Sequence, residues 1–190
     1  MTINNDARTL LFVDGPNIDA TLGNSVLERK PSPQERPRWN RIIQFAKMKL
    51  GVDESWFVLN GDRFGLECTS FYRCLKHVGF KVAIPKRSEC CQHHMDDPVD
   101  EWIKMQLACV LDKIRLREVS GVVVFTHDGG FAPALKAILD AGGSVTIIGF
   151  LEWMAPSLVD LRDCGAAMLD LEHDVGGFDR QLDRPKLHLD

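Results

Sequence analysis

At 190 residues, with apolar side chains at 45% and charged ones at 26%, the chain is long enough to bury one core without disulfide or metal staples. No apolar run approaches the roughly 18 residues of a membrane span, and residues 1–6 lack the basic and hydrophobic parts of a secretion signal, so a cytoplasmic protein is expected. A net charge of −4 excludes a general positive field, so any nucleic-acid binding must come from a local patch.

Leu10 to Val13 is a short apolar run of the kind that forms a strand covered on both faces of a parallel sheet, and it delivers Asp14 into the turn Gly15-Pro16-Asn17. Ile18 to Leu27 is expected as a short helix. Pro31, Pro33 and Pro37 then break every regular pattern, placing Arg29, Lys30, Arg36 and Arg38 in an exposed loop. That loop is either a lip that meets phosphates or an ordinary solvated connection. Trp39 to Lys49 carries Ile42, Ile43, Phe45 and Ala46 at helical spacing, and Gly51 stops it. Ser55 to Leu59 reads as the second strand with Asn60-Gly61-Asp62 as its turn. Leu66 to Val78 is a helix closed by Gly79, and Lys81 to Ile84 a third strand ended by Pro85.

Residues 86–97 are polar and irregular. Pro98 suits the first position of a helix reaching about Leu116, which makes Asp97 its N-cap and puts Asp100 in its first turn. Val99, Ile103, Leu107, Val110 and Ile114 mark the buried stripe of that helix. Gly121 to Thr126 is the clearest strand and ends in His127-Asp128-Gly129-Gly130. A helix from Phe131 to Leu139, a strand from Ser144 to Gly149, a short helix from Pro156 to Asp163 and an edge strand from Ala166 to Leu169 follow. The β-α alternation predicts a three-layer α/β/α domain over residues 8–170 with a mainly parallel central sheet. Residues 171–190 are expected as a loosely ordered tail. The cysteines Cys68, Cys74, Cys90, Cys91, Cys109 and Cys164 form no CxxC pair and read as reduced, mostly buried thiols. Trp153 and Met154 are open to two readings, a contact surface or core.

Three acids occupy comparable places: Asp14 and Asp128 just past strand ends, and Asp100 at a helix start. Strand ends on one edge of a right-handed parallel sheet converge in space, and clustered carboxylates repel one another unless a cation neutralises them. Oxygen ligands of this kind suit Mg²⁺ or Mn²⁺, which can align a phosphodiester and activate a water for hydrolysis. Singly, each acid is more often a cap or turn residue than a ligand, and only their joint placement raises the cation reading to equal standing. Cys90, Cys91, His93 and His94 are poorly spaced for tetrahedral zinc. A loop bordering the acidic pocket, with His93 or His94 touching phosphate, suits them better. His127 reads either as a general acid or as a surface histidine.

The motifs Leu11-Phe12-Val13-Asp14-Gly15-Pro16-Asn17, Val99-Asp100 at a helix start, and Val123-Val124-Phe125-Thr126-His127-Asp128-Gly129-Gly130-Phe131 with the later Gly142-Gly143-Ser144-Val145-Thr146-Ile147-Ile148-Gly149 resemble the NYN family of PIN-like nucleases, including its LabA-like branch. The resemblance spans about Leu10 to Leu169. It implies a PIN-like α/β/α domain that binds Mg²⁺ or Mn²⁺ in an acidic pocket and cuts RNA. Asp14 would be the first metal-binding acid, Asn17 its polar neighbour, Asp100 the acid of the Val-Asp pair and Asp128 the first acid of the last motif. The chain departs from the pattern at Gly130, where a second acid is expected, and at Gln106, the apparent counterpart of an acid further into the helix. Asp96 or Asp97 could supply the missing charge, and His127 could assist. RNA would be held by Arg29, Lys30, Arg36, Arg38, Lys86 and Arg87. The alternative is a PIN-like module that has lost turnover and binds RNA or a protein, a second copy included.

Overall fold

A computed structural model of the chain describes residues 7–62, 69–86 and 97–185. Its strands are β1 (Arg8–Asp14), β2 (Val52–Val58), β3 (Lys81–Ala83), β4 (Val119–Phe125), β5 (Ser144–Gly149) and β6 (Ala167–Asp170). They form a single six-stranded sheet in the order β3-β2-β1-β4-β5-β6, and every neighbouring pair is parallel. The apolar run at Leu10 to Val13 is thus central, flanked by a strand on either side and buried on both faces, which is why it does not alternate.

Alternation survives in the direction of burial. Leu11 and Val13 enter one core with Ile42, Phe57, Leu75 and Phe125, whereas Leu10 and Phe12 enter a second with Ile103, Leu107, Val124 and Leu135. The first core is covered by α1 (Gly15–Thr21), α2 (Trp39–Leu50) and α3 (Ser70–Val78); the second by α4 (Pro98–Arg115), α5 (Ala132–Asp140) and α6 (Pro156–Val159). The fold is therefore a three-layer α/β/α sandwich. No helix among the described residues is long and apolar enough to cross a membrane.

Four expectations change. The first helix begins at Gly15 rather than Ile18, because Asp14 caps it and Pro16 is accommodated in its first turn; a π-helical turn at Leu22–Val26 then finishes the segment. Residues 171–185 are docked rather than loose. Leu171, Val175, Phe178 and Leu182 are buried in the first core, and Arg184 forms ion pairs with the buried Glu172 and with Glu152. These anchors lie on turns and irregular chain rather than on a helix or strand, among glycines and charged residues that read as a solvated tail. Cys74, Cys109 and Cys164 are exposed free thiols: the first two occupy outward positions beside the buried Leu75 and Val110, and Cys164 lies in the exposed turn Asp163–Gly165. Met154 is core, and Trp153 beside it is exposed. Cys68, Cys90, Cys91, His93 and His94 lie outside the described residues.

Candidate active site

The spatial order reverses between β1 and β4: the chain winds outward from β1 through β2 to β3, then returns to β4 on the other side. In open parallel sheets this switch leaves a crevice outside the carboxyl ends of the two central strands, where ligands bind. Asp14 ends β1, and Thr126, His127 and Asp128 follow β4 directly.

Asp14 is only 2% exposed. One oxygen accepts the Asn17 backbone N–H at 3.2 Å, capping α1, and the other accepts the Thr126 hydroxyl at 3.3 Å. Burial raises this carboxyl to about 7, with the charges of Asp100 and Asp128 pushing the same way against the Asn17 amide and the Thr126 hydroxyl. Asp14 thus feels the charges of two acids carried on other elements. Gly15 is fixed by space: a Cβ there would stand 2.4 Å from the Phe57 ring and 2.8 Å from the Val58 carbonyl oxygen.

Thr126 is fully buried, and its hydroxyl also accepts the Asp128 N–H at 3.1 Å. A single hydroxyl therefore joins the two strand-end acids. Asp128 in turn accepts the Gly130 N–H at 2.8 Å and starts the 3₁₀ turn Gly129–Phe131. Asp97 is the N-cap of α4, accepting the Val99 N–H at 2.9 Å, and the Asn60 amide reaches both its oxygens at 3.4 and 3.5 Å. Asp96 lies outside the described residues.

His127 is neither a surface residue nor an available general acid. It is buried, and Nε2 accepts the Phe150 N–H at 2.8 Å, so the ring proton sits on Nδ1 and is donated to Asn17 Oδ1 at 2.9 Å. Asn17 Oδ1 also accepts the His127 backbone N–H at 2.8 Å. Burial lowers the imidazole to about 4, against the opposing charge of Asp170. Asn17 and His127 thus form a strut that locks the β1 turn to the β4 turn and both to the end of β5.

The basic loop is largely committed to internal contacts. Arg29 makes a two-pronged pair with the buried Glu35 at 2.8 and 2.7 Å, Arg36 reaches Asp19 at 3.5 Å, and Arg38 donates to Asp179 at 2.7 Å. The Arg29 fork and the Ser32 amide hold the Glu35 carboxyl far below the usual carboxylate range. Lys30 and Lys86 are exposed, and Arg87 lies outside the described residues. Gln106 is displaced from Asp100 by about 120° around α4 and about 9 Å along it. The positions that stack above Asp100 are Ile103, Lys104 and Leu107, and Ile103 and Leu107 are core.

Thr126 and Asn60 are the contributors that pattern reading passes over. Each is a polar residue buried at the end of an apolar strand, and that placement is itself the signal. Among the described residues no group of three or more His, Cys, Asp or Glu side chains already stands in an arrangement that would hold a metal ion. The donor chemistry of Asp14, Asp100 and Asp128, oxygen only and mutually repulsive, nonetheless fits a hard divalent cation. No model of a known protein family matches the chain, and no curated protein matches it.

Proposed function

We propose that the chain is a cytoplasmic, Mg²⁺- or Mn²⁺-dependent ribonuclease with a PIN-like site at the carboxyl edge of the sheet. What supports this reading is that Asp14 ends and Asp128 follows neighbouring strands at the topological switch point, with Asp14 buried and raised to about 7, the charges of Asp100 and Asp128 adding to the effect of burial. When bound, the cation supplies a Lewis acid for the scissile phosphate and a water of lowered pKa. Asp14, Asp100 and Asp128 would hold it. Thr126 and the Asn17 amide fix the Asp14 carboxylate, and the Asn17–His127 strut keeps the two strand-end turns in register. Each carboxylate oxygen carries two lone pairs, so an acid that caps a helix retains capacity for a cation.

A second reading, a module that binds RNA or protein without cutting, draws support from Gly130 in place of a second acid and from the lack of a preformed ligand set among the described residues. Calorimetry with Mn²⁺ and cleavage of a labelled single-stranded RNA separate the two. Metal binding and cleavage that both vanish in Asp14→Asn support the ribonuclease; cleavage that survives Asp14→Asn removes its basis, and RNA binding without metal uptake favours the second reading.

A further inference from the structure

A cavity of about 570 Å³ opens beside the switch point on the α1 side of the sheet. Its volume falls in the range of sites that enclose small organic groups. Gly15 and Pro16 form one wall, so the cavity begins one peptide, about 3.8 Å between Cα atoms, from Asp14. Phe57, Leu59 and Phe71 supply its apolar and aromatic lining. The two phenyl rings meet edge to face at 5.8 Å; Phe57 is buried, whereas Phe71 is 37% exposed.

The rim is polar and of mixed sign. Asp19 and Arg36 face each other at 3.5 Å with both side chains nearly half exposed, and Asn24 stands with them. A pair that long and that exposed is weak, so both groups can turn to a ligand. The site therefore offers aromatic surface below with donors and acceptors at the edge. A purely apolar ligand would strip water from Arg36, Asp19 and Asn24 without replacing it, and a phosphate would meet the Asp19 carboxylate. A flat heteroaromatic ring with hydrogen-bonding edges satisfies both halves.

We infer that this cavity takes one unpaired nucleobase of an RNA strand, stacked on Phe71 and read at its edge by Arg36, Asp19 and Asn24, with the adjoining phosphate at the Asp14 edge. The inference rests on the ribonuclease reading for its choice of ligand. It gives the site a preference for single-stranded RNA and for one type of base, because a helical base pair cannot enter a pocket of this kind.

The test is fluorescence anisotropy in EDTA, which stops hydrolysis. The probes are labelled tetranucleotides of adenosine, cytidine, guanosine or uridine, and one whose nucleotides lack bases. One homopolymer is expected to bind most tightly and the abasic probe far more weakly. Removing the aromatic face in Phe71→Leu should weaken binding by about fivefold to a hundredfold, the range of a single base–aromatic stack, while Phe71→Trp retains it. Arg36→Ala should flatten the preference among bases. Equal affinity for the abasic probe, or binding unmoved by Phe71→Leu in a protein that gives an unchanged circular dichroism spectrum, overturns the inference. Its failure is separable from that of the ribonuclease reading. Base preference with no metal-dependent cleavage keeps the pocket and removes the reaction, whereas cleavage with no base preference does the reverse.

Discussion

Replacing Asp14 by asparagine should stabilise the protein above neutral pH while destroying its proposed activity. The carboxyl moves from an ordinary value of 3.8 to about 7 on folding. An acid whose folded value lies above its unfolded one binds its proton more tightly when folded; its stabilising contribution is complete below pH 4 and is lost as pH rises to about 7. At about 1.4 kcal/mol per unit, the charged form at pH 8 costs about 4 kcal/mol. Asparagine removes that cost. It can still accept the Asn17 N–H but leaves the Thr126 hydroxyl without its carboxylate acceptor, a loss of about 1 kcal/mol. The net expectation is a variant about 3 kcal/mol more stable at pH 8, or about 6–12 °C higher in Tm for a chain of this size.

Near pH 4 the sign reverses and the variant is slightly the weaker. Urea unfolding in EDTA at unit steps from pH 4 to pH 8 reads the difference directly. Comparison with the variant is needed because His127 opposes Asp14. Its folded value lies below its unfolded one, so its contribution is lost as pH falls from 6.5 towards 4, and the two slopes partly cancel in the native protein. Mn²⁺ should stabilise the native protein and narrow the gap, since a ligand of the folded state alone raises stability. A difference between the two proteins that does not change with pH would refute the reasoning, as would a variant that is less stable at pH 8.

Other expectations follow from the same geometry. His127→Leu leaves the buried Phe150 N–H without its acceptor, at about 1–3 kcal/mol, while Asn17 Oδ1 keeps the backbone N–H of residue 127, and urea unfolding at pH 7 should register the loss. In that variant the decline in stability between pH 6.5 and 4 should flatten. Phe178→Ala empties a buried site where residues 171–185 meet the first core and stack on Phe150; about 3 kcal/mol should disappear in the same assay, against almost nothing if this segment were loose. Gly130→Asp puts a carboxylate next to Asp128, where a Cβ stands 3.2 Å from Oδ1, at an exposed position. Calorimetry should then show tighter Mn²⁺ binding than in the native chain, and unchanged affinity would count against Asp128 as a ligand.

The layers were legible because periodicity reports burial directly. The apolar run before Asp14 and the Val122–Phe125 run are central strands, and the stripe from Val99 to Ile114 is the inner face of α4. Boundaries slipped where a cap or proline chemistry acts over one turn, as at Gly15. The docking of residues 171–185 was illegible for a different reason. Its anchors, Val175, Phe178 and Leu182, stand three and four residues apart but on turns and irregular chain rather than on a helix, and the Glu172–Arg184 pair that fastens them is a tertiary contact with no local signature. The same limit explains the basic loop: Arg29 and Arg38 look available in sequence, and only the fold reveals Glu35 and Asp179 opposite them.

At the site the sequence leaves cap and ligand as rival roles for each acid, and the structure makes that opposition weaker. Asp14 caps α1 and Asp128 starts its 3₁₀ turn, so both capping roles hold. Capping also fixes a carboxylate at the mouth of the crevice between β1 and β4, a placement that an exposed flexible acid would lack. The Thr126 hydroxyl then couples the two capped acids, and the Asn17–His127 strut sets the distance between their turns. Asp97 is the contrasting case. It too is a cap, but its oxygens also meet the Asn60 amide, whereas the acids whose charge bears on Asp14 are Asp100 and Asp128. What separates a structural acid from a member of the site is therefore not whether it caps a helix but whether its charge bears on Asp14.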